Sequence, residues 1–561
     1  MIEARSLSRR DWLILVVFSL AIFLPGIASL SPTDRDESRY IVTSSRMADT
    51  GEIVDLRFQD KPRYLQPAGI YWLQAAATTV FDSPAHDSIW AYRIPSALGA
   101  LFAVLMTGAL GALFFGRKAG LAAAVLLAAC FSLNFEARIA KIDAALLASV
   151  VAAQFALMRA YVEPRVGRAT AALFWIALGV GVMLKGPLVL LVSGSTIAAL
   201  AIWDRKVAWL RNLRPAWGPL LTLAIALPWF IAIGVTTDGA FYERALMRNF
   251  LGKVGAGEQG HSGPPGYHLA LFMLAFWPGS LLAFRAVGHT WRERAEPAVR
   301  FLLCWIVPTW IIFEFVATKL PHYVLPTYPA IAILAAAALF SPGPAPVTRT
   351  RRIVFGVVAG LWLLASGLVA SLAPALLWRT EGGPNAIAIG LAVLGFAAAI
   401  AALWMLRRGR PMAVAGALGA AGLLVWCNTF GYVLPRLHDI WMSPRIAEAA
   451  RTARPCPTSV LVSTPYKEPS LVFLYGRERT LFSAISGADA AQAMAASPGC
   501  GLAIVGADER SGFLARAAEL GLDPRPADRI VGQNYSNGDK LDLTLYVARA
   551  APRPEAADAP R

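Results

Sequence analysis

The chain has 561 residues, of which 57% are hydrophobic and 16% are charged, and its mean hydropathy is +0.53. This composition excludes an ordinary soluble globular domain and indicates a protein that crosses a membrane several times. The formal net charge is +16. Lysine and arginine recur in small groups between apolar segments, so the charge indicates loop anchors and no nucleic-acid partner.

Thirteen apolar segments are long enough to cross a hydrocarbon core of about 30 Å. They cover residues 12–30, 93–115, 118–134, 142–163, 169–184, 187–203, 216–236, 267–287, 298–317, 322–341, 353–377, 385–406 and 411–434. No small-residue cleavage site follows the first segment, which is therefore predicted to be a span and not a signal peptide. The sequence thus predicts a membrane-spanning body over residues 1–434.

Basic residues flank alternate segments, beginning with Arg5, Arg9 and Arg10 before the first span. This pattern places the N-terminus in the cytoplasm. The loops 31–92 and 235–266 are then predicted to lie in the periplasm. An odd number of spans places the C-terminal part of the chain there as well.

The composition changes after residue 434. Strand-like runs at 459–463, 471–474, 502–505 and 541–547, with a helical pattern at 512–520, predict a small periplasmic α/β domain over residues 435–550. Cys456 and Cys500 are its only cysteines, and a disulfide between them is the hypothesis for an oxidising compartment. Residues 551–561 are rich in proline and alanine and are predicted to be disordered.

The first loop opens with the charged segment 31–40. A helix there would place Asp36, Arg39 and Tyr40 on one face. Charges beside a lipid-embedded segment are costly unless they serve chemistry in a water-filled site. The alternative is a charged flank that keeps the helix end in water.

Four further polar clusters lie at predicted outer ends of spans. They are Lys61-Pro62 followed by Tyr64; Arg138, Lys141 and Asp143; Lys185-Gly186-Pro187; and Lys319 with His322 and Tyr323. Snorkelling lysines and helix stops at proline are the ordinary alternatives. Because all the clusters are predicted on one face, Asp36, Asp143 and the cations suit a substrate whose phosphate needs neutralising.

In this order the motifs resemble the polyprenyl-phosphate-sugar-dependent glycosyltransferases of the GT-C fold. These are the bacterial relatives of protein O-mannosyltransferases that include the lipid A aminoarabinose transferases. The resemblance is carried by Asp36-Glu37-x-Arg39-Tyr40, Lys61-Pro62 with Tyr71-Trp72-Leu73, Asp143 after Arg138 and Lys141, Lys185-Gly186-Pro187, and Lys319-x-Pro321-x-Tyr323-x-x-Pro326. It implies a polytopic α-helical membrane protein with about thirteen spans and a small C-terminal periplasmic α/β domain.

The resemblance also implies inverting transfer of a sugar from a polyprenyl-phosphate carrier at the periplasmic face of the bacterial inner membrane. The acceptor would be lipid A, another envelope glycan or a protein, and no cofactor would be required. Asp36 would be the catalytic carboxylate, and Asp143 the second acidic residue of the pocket. The residues expected to bind substrate are Glu37, Arg39, Tyr40, Lys61, Tyr64, Arg138, Lys141, Lys185, Lys319, His322 and Tyr323.

Two features depart from the family pattern or extend it. Arg63 stands where relatives often have a second proline, and a charge there affects the choice of acceptor. Glu258 and His261 are three residues apart in the loop 235–266, where some relatives bind a metal. The pair can supply two ligands to zinc, and a hydrogen bond that anchors the loop is the alternative.

A transporter or flippase of a lipid-linked glycan is the main alternative function. Secondary transporters place polar residues near the bilayer midplane and often consist of repeated halves. Here the charges gather at one membrane edge, and the sequence has no evident repeat. A receptor-like membrane protein would account for the C-terminal domain but would leave the carboxylates at the membrane edge unexplained.

Overall fold

The computed structural model describes residues 6–245, 263–341, 348–481, 485–497 and 499–549. The first half of the chain forms helices α1 (Arg9–Phe23), α2 (Asp36–Thr50), α3 (Gly69–Phe81), α4 (Ile89–Phe115), α5 (Arg117–Ala129), α6 (Phe131–Glu136), α7 (Asp143–Val162), α8 (Arg168–Lys185), α9 (Leu188–Asp204), α10 (Gly218–Thr236) and α11 (Ala240–Tyr242). Later helices of this body cover Tyr267–Ala275, Ser280–Arg292, Pro297–Phe315, Tyr328–Phe340, Arg349–Glu381, Ala386–Arg407 and Pro411–Trp426. Helical turns at Ala208–Leu213, Pro321–Thr327, Cys427–Val433 and Leu434–Arg436 complete it.

Within the described ranges, nine helical segments are long and apolar enough to cross a membrane. The predicted span 267–287 is not one straight helix, because Tyr267–Ala275 and Ser280–Arg292 meet at an angle of 119°. Pro278 lies at this break, and a proline there cannot continue the hydrogen-bond ladder of the helix. If the bent pair is one span, the count is ten.

The predicted span 118–134 is also interrupted, because α5 ends at Ala129 and α6 begins at Phe131. The Asn134 amide donates to the carbonyl oxygens of Ala128 at 2.6 Å and Cys130 at 2.9 Å. The first bond satisfies a carbonyl at the interruption, and the Cys130 carbonyl also accepts from the Asn134 backbone nitrogen at 3.1 Å, so the break is stabilised from within.

Helices α4 and α5 approach each other closely through small residues. A Cβ atom added to Gly120 would lie 2.4 Å from the carbonyl oxygen of Gly108 and 2.5 Å from the backbone nitrogen of Ala112. Only glycine permits this separation, which is the usual way in which helices pack without a hydrophobic driving force in lipid.

A buried ion pair attaches the first loop to the helical body. Arg93 Nε donates to Glu37 Oε1 at 2.8 Å, and neither side chain is exposed to solvent. Glu37 also accepts from the backbone nitrogen atoms of Thr33 and Ala140, each at 2.7 Å. The carboxylate therefore joins the start of α2, the start of α4 and the turn before α7.

The first loop also contains a small hairpin, in which β1 (Arg57–Phe58) pairs antiparallel with β2 (Lys61–Pro62). After the body, the described residues within 442–549 form a mixed sheet with helices, called here the C-terminal unit. Its strands are β3 (Val460–Ser463), β4 (Thr480–Leu481), β5 (Gly501–Gly506), β6 (Asp523–Gln533) and β7 (Lys540–Arg549), and its helices cover Met442–Ala453, Pro469–Tyr475, Gly487–Ala495 and Arg510–Glu519.

The sheet has the order β4-β3-β5-β7-β6, with β3 parallel to both β4 and β5 and with antiparallel pairing of β7 to β5 and β6. Apolar side chains cover both faces, one led by Ile446 and Leu471 and the other by Ala490 and Phe513. Cys456 and Cys500 are joined by a disulfide, with their Cα atoms 5.6 Å apart.

The predicted strand 471–474 is a helix in the structure. A short apolar run does not distinguish a strand from a buried helix. Pro469 starts this helix, because a proline fits the first helical turn. The helix is buried on several sides, between the sheet and α2, and this burial explains the continuous apolar sequence.

Candidate functional site

A cavity of about 720 Å³ lies between α7, α8, α9, α10 and the helix Pro297–Phe315. Most of its wall is apolar, and one part carries the polar side chains Asp143, Lys185, His322 and Tyr323. Apolar lining residues include Leu146, Leu190, Phe230, Phe241, Ile311 and Phe313. A cavity with this lining suits a ligand with a long apolar chain and an anionic head group.

The ends of two helices place the main charges of the site. Asp143 is the first residue of α7, and Lys185 is the last residue of α8. A carboxylate is favoured at a helix N-terminus and an ammonium at a C-terminus, because the helix dipoles have the opposite signs there. Lys185 Nζ lies 2.5 Å from Asp143 Oδ1.

Three further side chains surround this pair. Lys141 Nζ lies 3.9 Å from Asp143 Oδ2 and 3.7 Å from Glu136 Oε1. His322 Nδ1 lies 3.4 Å from Glu136 Oε1, and its Nε2 atom lies 3.6 Å from Asp143 Oδ2. Glu136, Lys141, Asp143, Lys185 and His322 are called here the charged cluster. Its two ammonium groups stand next to two carboxylates, so these charges are matched before any ligand binds.

Glu136 is a member of the cluster that sequence reasoning missed. Its side chain is 1% exposed, and neither carboxylate oxygen has a hydrogen-bond partner among the described residues. It lies at the end of α6, seven residues before Asp143. An acidic residue at the end of an apolar run is the signal that points to it.

The cluster contains a donor set that could hold a metal. Glu136, Asp143 and His322 place one ligand atom each within 4.8 Å of one another. Carboxylates and imidazole are ligands that zinc accepts. Lys185 and Lys141 already lie beside these carboxylates, so a cation would have to displace at least one ammonium group. The predicted pair Glu258 and His261 lies outside the described residues.

Asp36 opens α2 and is exposed, whereas Arg39 is half-buried and Tyr40 is buried. The charge of the Asp36 carboxylate affects the pKa of Lys141 in the charged cluster. Burial lowers the pKa of the Lys141 ammonium, but Glu136, Asp143 and Asp36 together raise that pKa above its ordinary value. Asp36 thus contributes to this shift at Lys141, after Glu136 and Asp143.

Arg63 contacts both Tyr40 and Tyr71. Its Nε atom donates to the Tyr71 hydroxyl at 3.2 Å, and its guanidinium carbon lies 5.2 Å from the centre of the Tyr40 ring. The Tyr40 and Tyr71 rings are 5.3 Å apart. The arginine at the position where relatives often have proline is thus buried against the two tyrosines.

Three of the predicted site residues use their polar atoms on the protein itself. Glu37 binds Arg93, as described above. Arg138 is fully buried and donates to the carbonyl oxygens of Ile22, Pro25 and Asn134, with its guanidinium 4.8 Å from the Phe430 ring. Lys319 donates to the carbonyl oxygens of residues 314 and 316 at 2.7 and 2.8 Å.

The remaining predicted residues lie in two places. Lys61 is exposed on β2, and the Tyr64 hydroxyl donates to Asp55 Oδ1 at 2.8 Å. Tyr323 lies at the cavity, with its ring centre 5.8 Å from Lys185 Nζ. The structure therefore brings together Lys141, Asp143, Lys185, His322 and Tyr323.

Part of the sequence is similar to known membrane glycosyltransferases. Residues 10–238 match the family model described as dolichyl-phosphate-mannose-protein mannosyltransferase. The undecaprenyl phosphate-alpha-4-amino-4-deoxy-L-arabinose arabinosyl transferase 1 of Pseudomonas fluorescens is 27% identical over 362 residues, which are 63% of this chain and 64% of that protein. The corresponding transferase of Yersinia pestis is 26% identical over 369 residues, 63% of this chain and 65% of the relative. The match spans less than two thirds of each relative.

Solved structures agree with the sequence comparison. ArnT from Cupriavidus metallidurans bound to undecaprenyl phosphate has a TM-score of 0.76 and 20% identity, and the match covers 97% of this chain and 100% of that chain. The same protein in the apo state has a TM-score of 0.71 and 19% identity, covering 97% and 99%. The resemblance inferred from the motifs is confirmed at the level of the fold: the chain has the GT-C fold of ArnT, and its sequence is similar to those of the aminoarabinose transferases.

Proposed function

We propose that the protein is a membrane glycosyltransferase that transfers a sugar from a polyprenyl-phosphate carrier to an acceptor of the bacterial envelope. The observation that carries this proposal is the apolar cavity that ends at Asp143, Lys185 and His322. The names of the relatives, which specify undecaprenyl phosphate and an arabinosyl transferase, support the same reaction class.

The polyprenyl chain would occupy the apolar part of the cavity, and the carrier phosphate would face Lys185 and Lys141. In the donor this phosphate is a diester with one negative charge, and after transfer it is a monoester with up to two. Fixed ammonium groups bind the more highly charged form more strongly. The two lysines would therefore stabilise the leaving group as the bond to the sugar breaks.

In the reaction, an acceptor oxygen attacks the anomeric carbon from the face opposite the carrier phosphate. The new carbon–oxygen bond forms while the bond to the phosphate oxygen breaks, and its electron pair stays on the phosphate. The configuration at the anomeric carbon is inverted. Asp36 accepts the proton when the acceptor is a hydroxyl group, whereas an acceptor that is already an ionised phosphate needs only to be positioned.

Lipid A or a related envelope glycan is the favoured acceptor, and a protein is the alternative. The Pseudomonas and Yersinia relatives are named for 4-amino-4-deoxy-L-arabinose. The sugar that this protein transfers is identified by testing a panel of donors.

The proposed location is the bacterial inner membrane, with the N-terminus in the cytoplasm and the active site at the periplasmic face. Thirteen crossings are supported by the nine long segments, the bent pair, and the shorter helices α1, α5 with α6, and α9. Residues 1–434 would form this body, and residues 435–550 would form a periplasmic α/β domain.

A zinc ion at Glu258 and His261 remains a separate proposal, and no cofactor is needed for the chemistry above. Metal analysis of chelator-washed protein tests it, with His261→Ala as the control. Zinc retained by the wild type and lost in the variant would support the site. Equal zinc in both proteins would exclude it.

The reaction is tested with purified protein, a panel of polyprenyl-phosphate-linked sugars and a lipid extract of the envelope. A product whose mass contains one added sugar is expected for at least one donor, and its mass identifies the sugar and the acceptor. A flippase would instead bind and move the lipid-linked glycan without forming a product. Movement with no transfer from any donor would overturn the proposal.

A further inference from the structure

The C-terminal unit contacts the segment directly before Asp36. The backbone nitrogen of Asp34 donates to the Tyr535 hydroxyl at 2.6 Å, and Ser470 Oγ donates to Asp34 Oδ1. Arg35 Nη2 donates to the carbonyl oxygen of Ser536 at 2.7 Å. Two consecutive residues of the first loop are thus held by three residues of the unit.

The C-terminal unit also packs against α2 through an apolar contact. Val472 and Phe473, from the helix Pro469–Tyr475, are buried against Ile41 and Val42 of α2. Phe473 also lies edge-to-face with Tyr92, with ring centres 5.6 Å apart. The contact therefore combines a buried apolar centre with the polar bonds at Asp34 and Arg35.

The start of α2 has acidic residues in its first turn but no side-chain cap. Arg35 occupies the N-cap position, and its side chain accepts no hydrogen bond from the helix. Its φ is +65°, a region that residues other than glycine rarely adopt. Such a conformation persists when the surroundings enforce it. Glu37 holds Thr33 on one side of Arg35, and the bonds to Tyr535, Ser536 and Ser470 hold Asp34 and Arg35 from the C-terminal unit.

We propose that the C-terminal unit positions Asp36 for catalysis, with Ser470 and Tyr535 holding Asp34 and thereby the first turn of α2. These are positioning residues, because they act on Asp36 through the backbone. The inference rests on the proposed function of Asp36 and gives the C-terminal unit a role in the same reaction.

The proposal predicts a dependence on pH. Burial raises the pKa of Asp34 to about 7, against the lowering effect of the Ser470 hydrogen bond and with a further raising effect from Glu468. The titratable groups that act on or contact Asp34 are Glu468 and Tyr535, Tyr466 lies next to them, and Arg35 is the adjacent charge. Burial outweighs the hydrogen bonds with Ser470 and Tyr535 and favours protonated Asp34, so ionisation of Asp34 as the pH rises through about 7 weakens the contact.

The test compares the double variant Ser470→Ala with Tyr535→Phe against a matched control, Arg477→Gln. Arg477 also belongs to the unit, and it pairs with Asp49 near the other end of α2, about 20 Å from Asp36. The double variant is expected to lower kcat on the order of a hundredfold, since misplacement by about 1 Å has that effect. KM for the donor should change little, and the control should retain near wild-type kcat.

A second measurement separates this inference from the proposed function. Amide hydrogen exchange at residues 34–40 should accelerate at least tenfold in the double variant and not in Arg477→Gln. Unchanged exchange together with unchanged kcat would overturn the inference while transfer by the wild type stands. If the wild type transfers no sugar, the proposed function fails, and the exchange rates still decide whether the unit holds this segment. The rate of transfer should fall as the pH rises through about 7, because the contact that positions Asp36 weakens. Asp34→Asn should abolish this fall, and its persistence in the variant would contradict the assignment to Asp34.

Discussion

Lys185 Nζ lies 2.5 Å from Asp143 Oδ1, and this pair joins the C-terminal end of α8 to the N-terminal end of α7. Both charges are favoured by the helix dipoles at their positions. The pair therefore fixes the ammonium group at the polar part of the cavity before a carrier phosphate arrives.

Replacing Lys185 with methionine should destabilise the protein, because Asp143 would lose its nearest counter-ion. We expect a loss of about 3 kcal/mol in the free energy of unfolding. The combined change of Lys185→Met and Asp143→Leu should restore most of it but not the affinity for polyprenyl phosphate. Thermal unfolding and lipid binding in detergent check both statements. A double variant as unstable as Lys185→Met would contradict the interpretation of the pair.

Glu37→Gln should reduce stability and leave substrate affinity unchanged. The substitution removes the charge that balances Arg93, and both side chains are fully buried. Breaking a buried pair in this way costs about 3–5 kcal/mol. Thermal unfolding measures the loss of stability, and KM measured on the folded fraction tests whether substrate affinity is unchanged. A raised KM with unchanged stability would instead assign Glu37 to substrate binding.

Leu190→Trp should discriminate among donors by the length of their prenyl chain. Leu190 lines the cavity and is 42% exposed, so a larger side chain enters the cavity without displacing the core. The KM for long-chain donors should rise about tenfold, whereas a donor with one or two prenyl units should be used as well as by the wild type. Leu372→Trp, at an exposed position that does not line this cavity, is the control. An equal effect on both donors would place the chain elsewhere.

Stability should fall as the pH rises from about 4 to 7 through the contribution of Asp34. Burial raises the pKa of this carboxyl from 3.8 to about 7 in the folded protein. Between these two pKa values the folded state binds more protons than the unfolded state, so the free energy of unfolding falls as the pH rises. The contribution of Asp34 to stability is therefore complete below the lower pKa and lost above the upper one. Thermal midpoints of the wild type and Asp34→Asn across this range test the sign. Identical slopes for the two proteins would assign the dependence to other groups.

Reduction of the disulfide between Cys456 and Cys500 should destabilise the C-terminal unit. The two cysteines are 44 residues apart, and closing a loop of that size contributes about 4 kcal/mol on the chain-entropy model. Alkylation before and after reduction, followed by mass measurement, detects the bond. Two thiols that react freely without reduction would show that it is not formed.

Sequence alone could group Lys141, Asp143, Lys185, His322 and Tyr323, because each follows or precedes an apolar run on the same predicted side. It could not recognise which charges are internally paired. The partner of Glu37 is Arg93, a charge in a long apolar segment, and nothing in the sequence indicates that the two side chains pair. Pairing depends on the packing of α2 against α4, and this packing is a tertiary property.

The local errors have physical causes as well. The run 471–474 is apolar because the helix that contains it is covered by both the sheet and α2, and burial on several sides removes the periodicity that separates helices from strands. The segment 267–287 has the length and hydropathy of a span, and Pro278 indicates that the helix is interrupted, but the angle between the two halves depends on their packing.

Transfer by Asp36→Asn, measured beside the wild type with one donor and one acceptor, tests the central claim most directly. Asp87→Asn, another exposed carboxylate of the first loop, is the matched control. The account predicts that Asp36→Asn binds polyprenyl phosphate normally and transfers sugar on the order of a hundredfold more slowly or not at all. Asp87→Asn should match the wild type. Undiminished turnover by folded Asp36→Asn would contradict the assignment of Asp36 as the catalytic carboxylate.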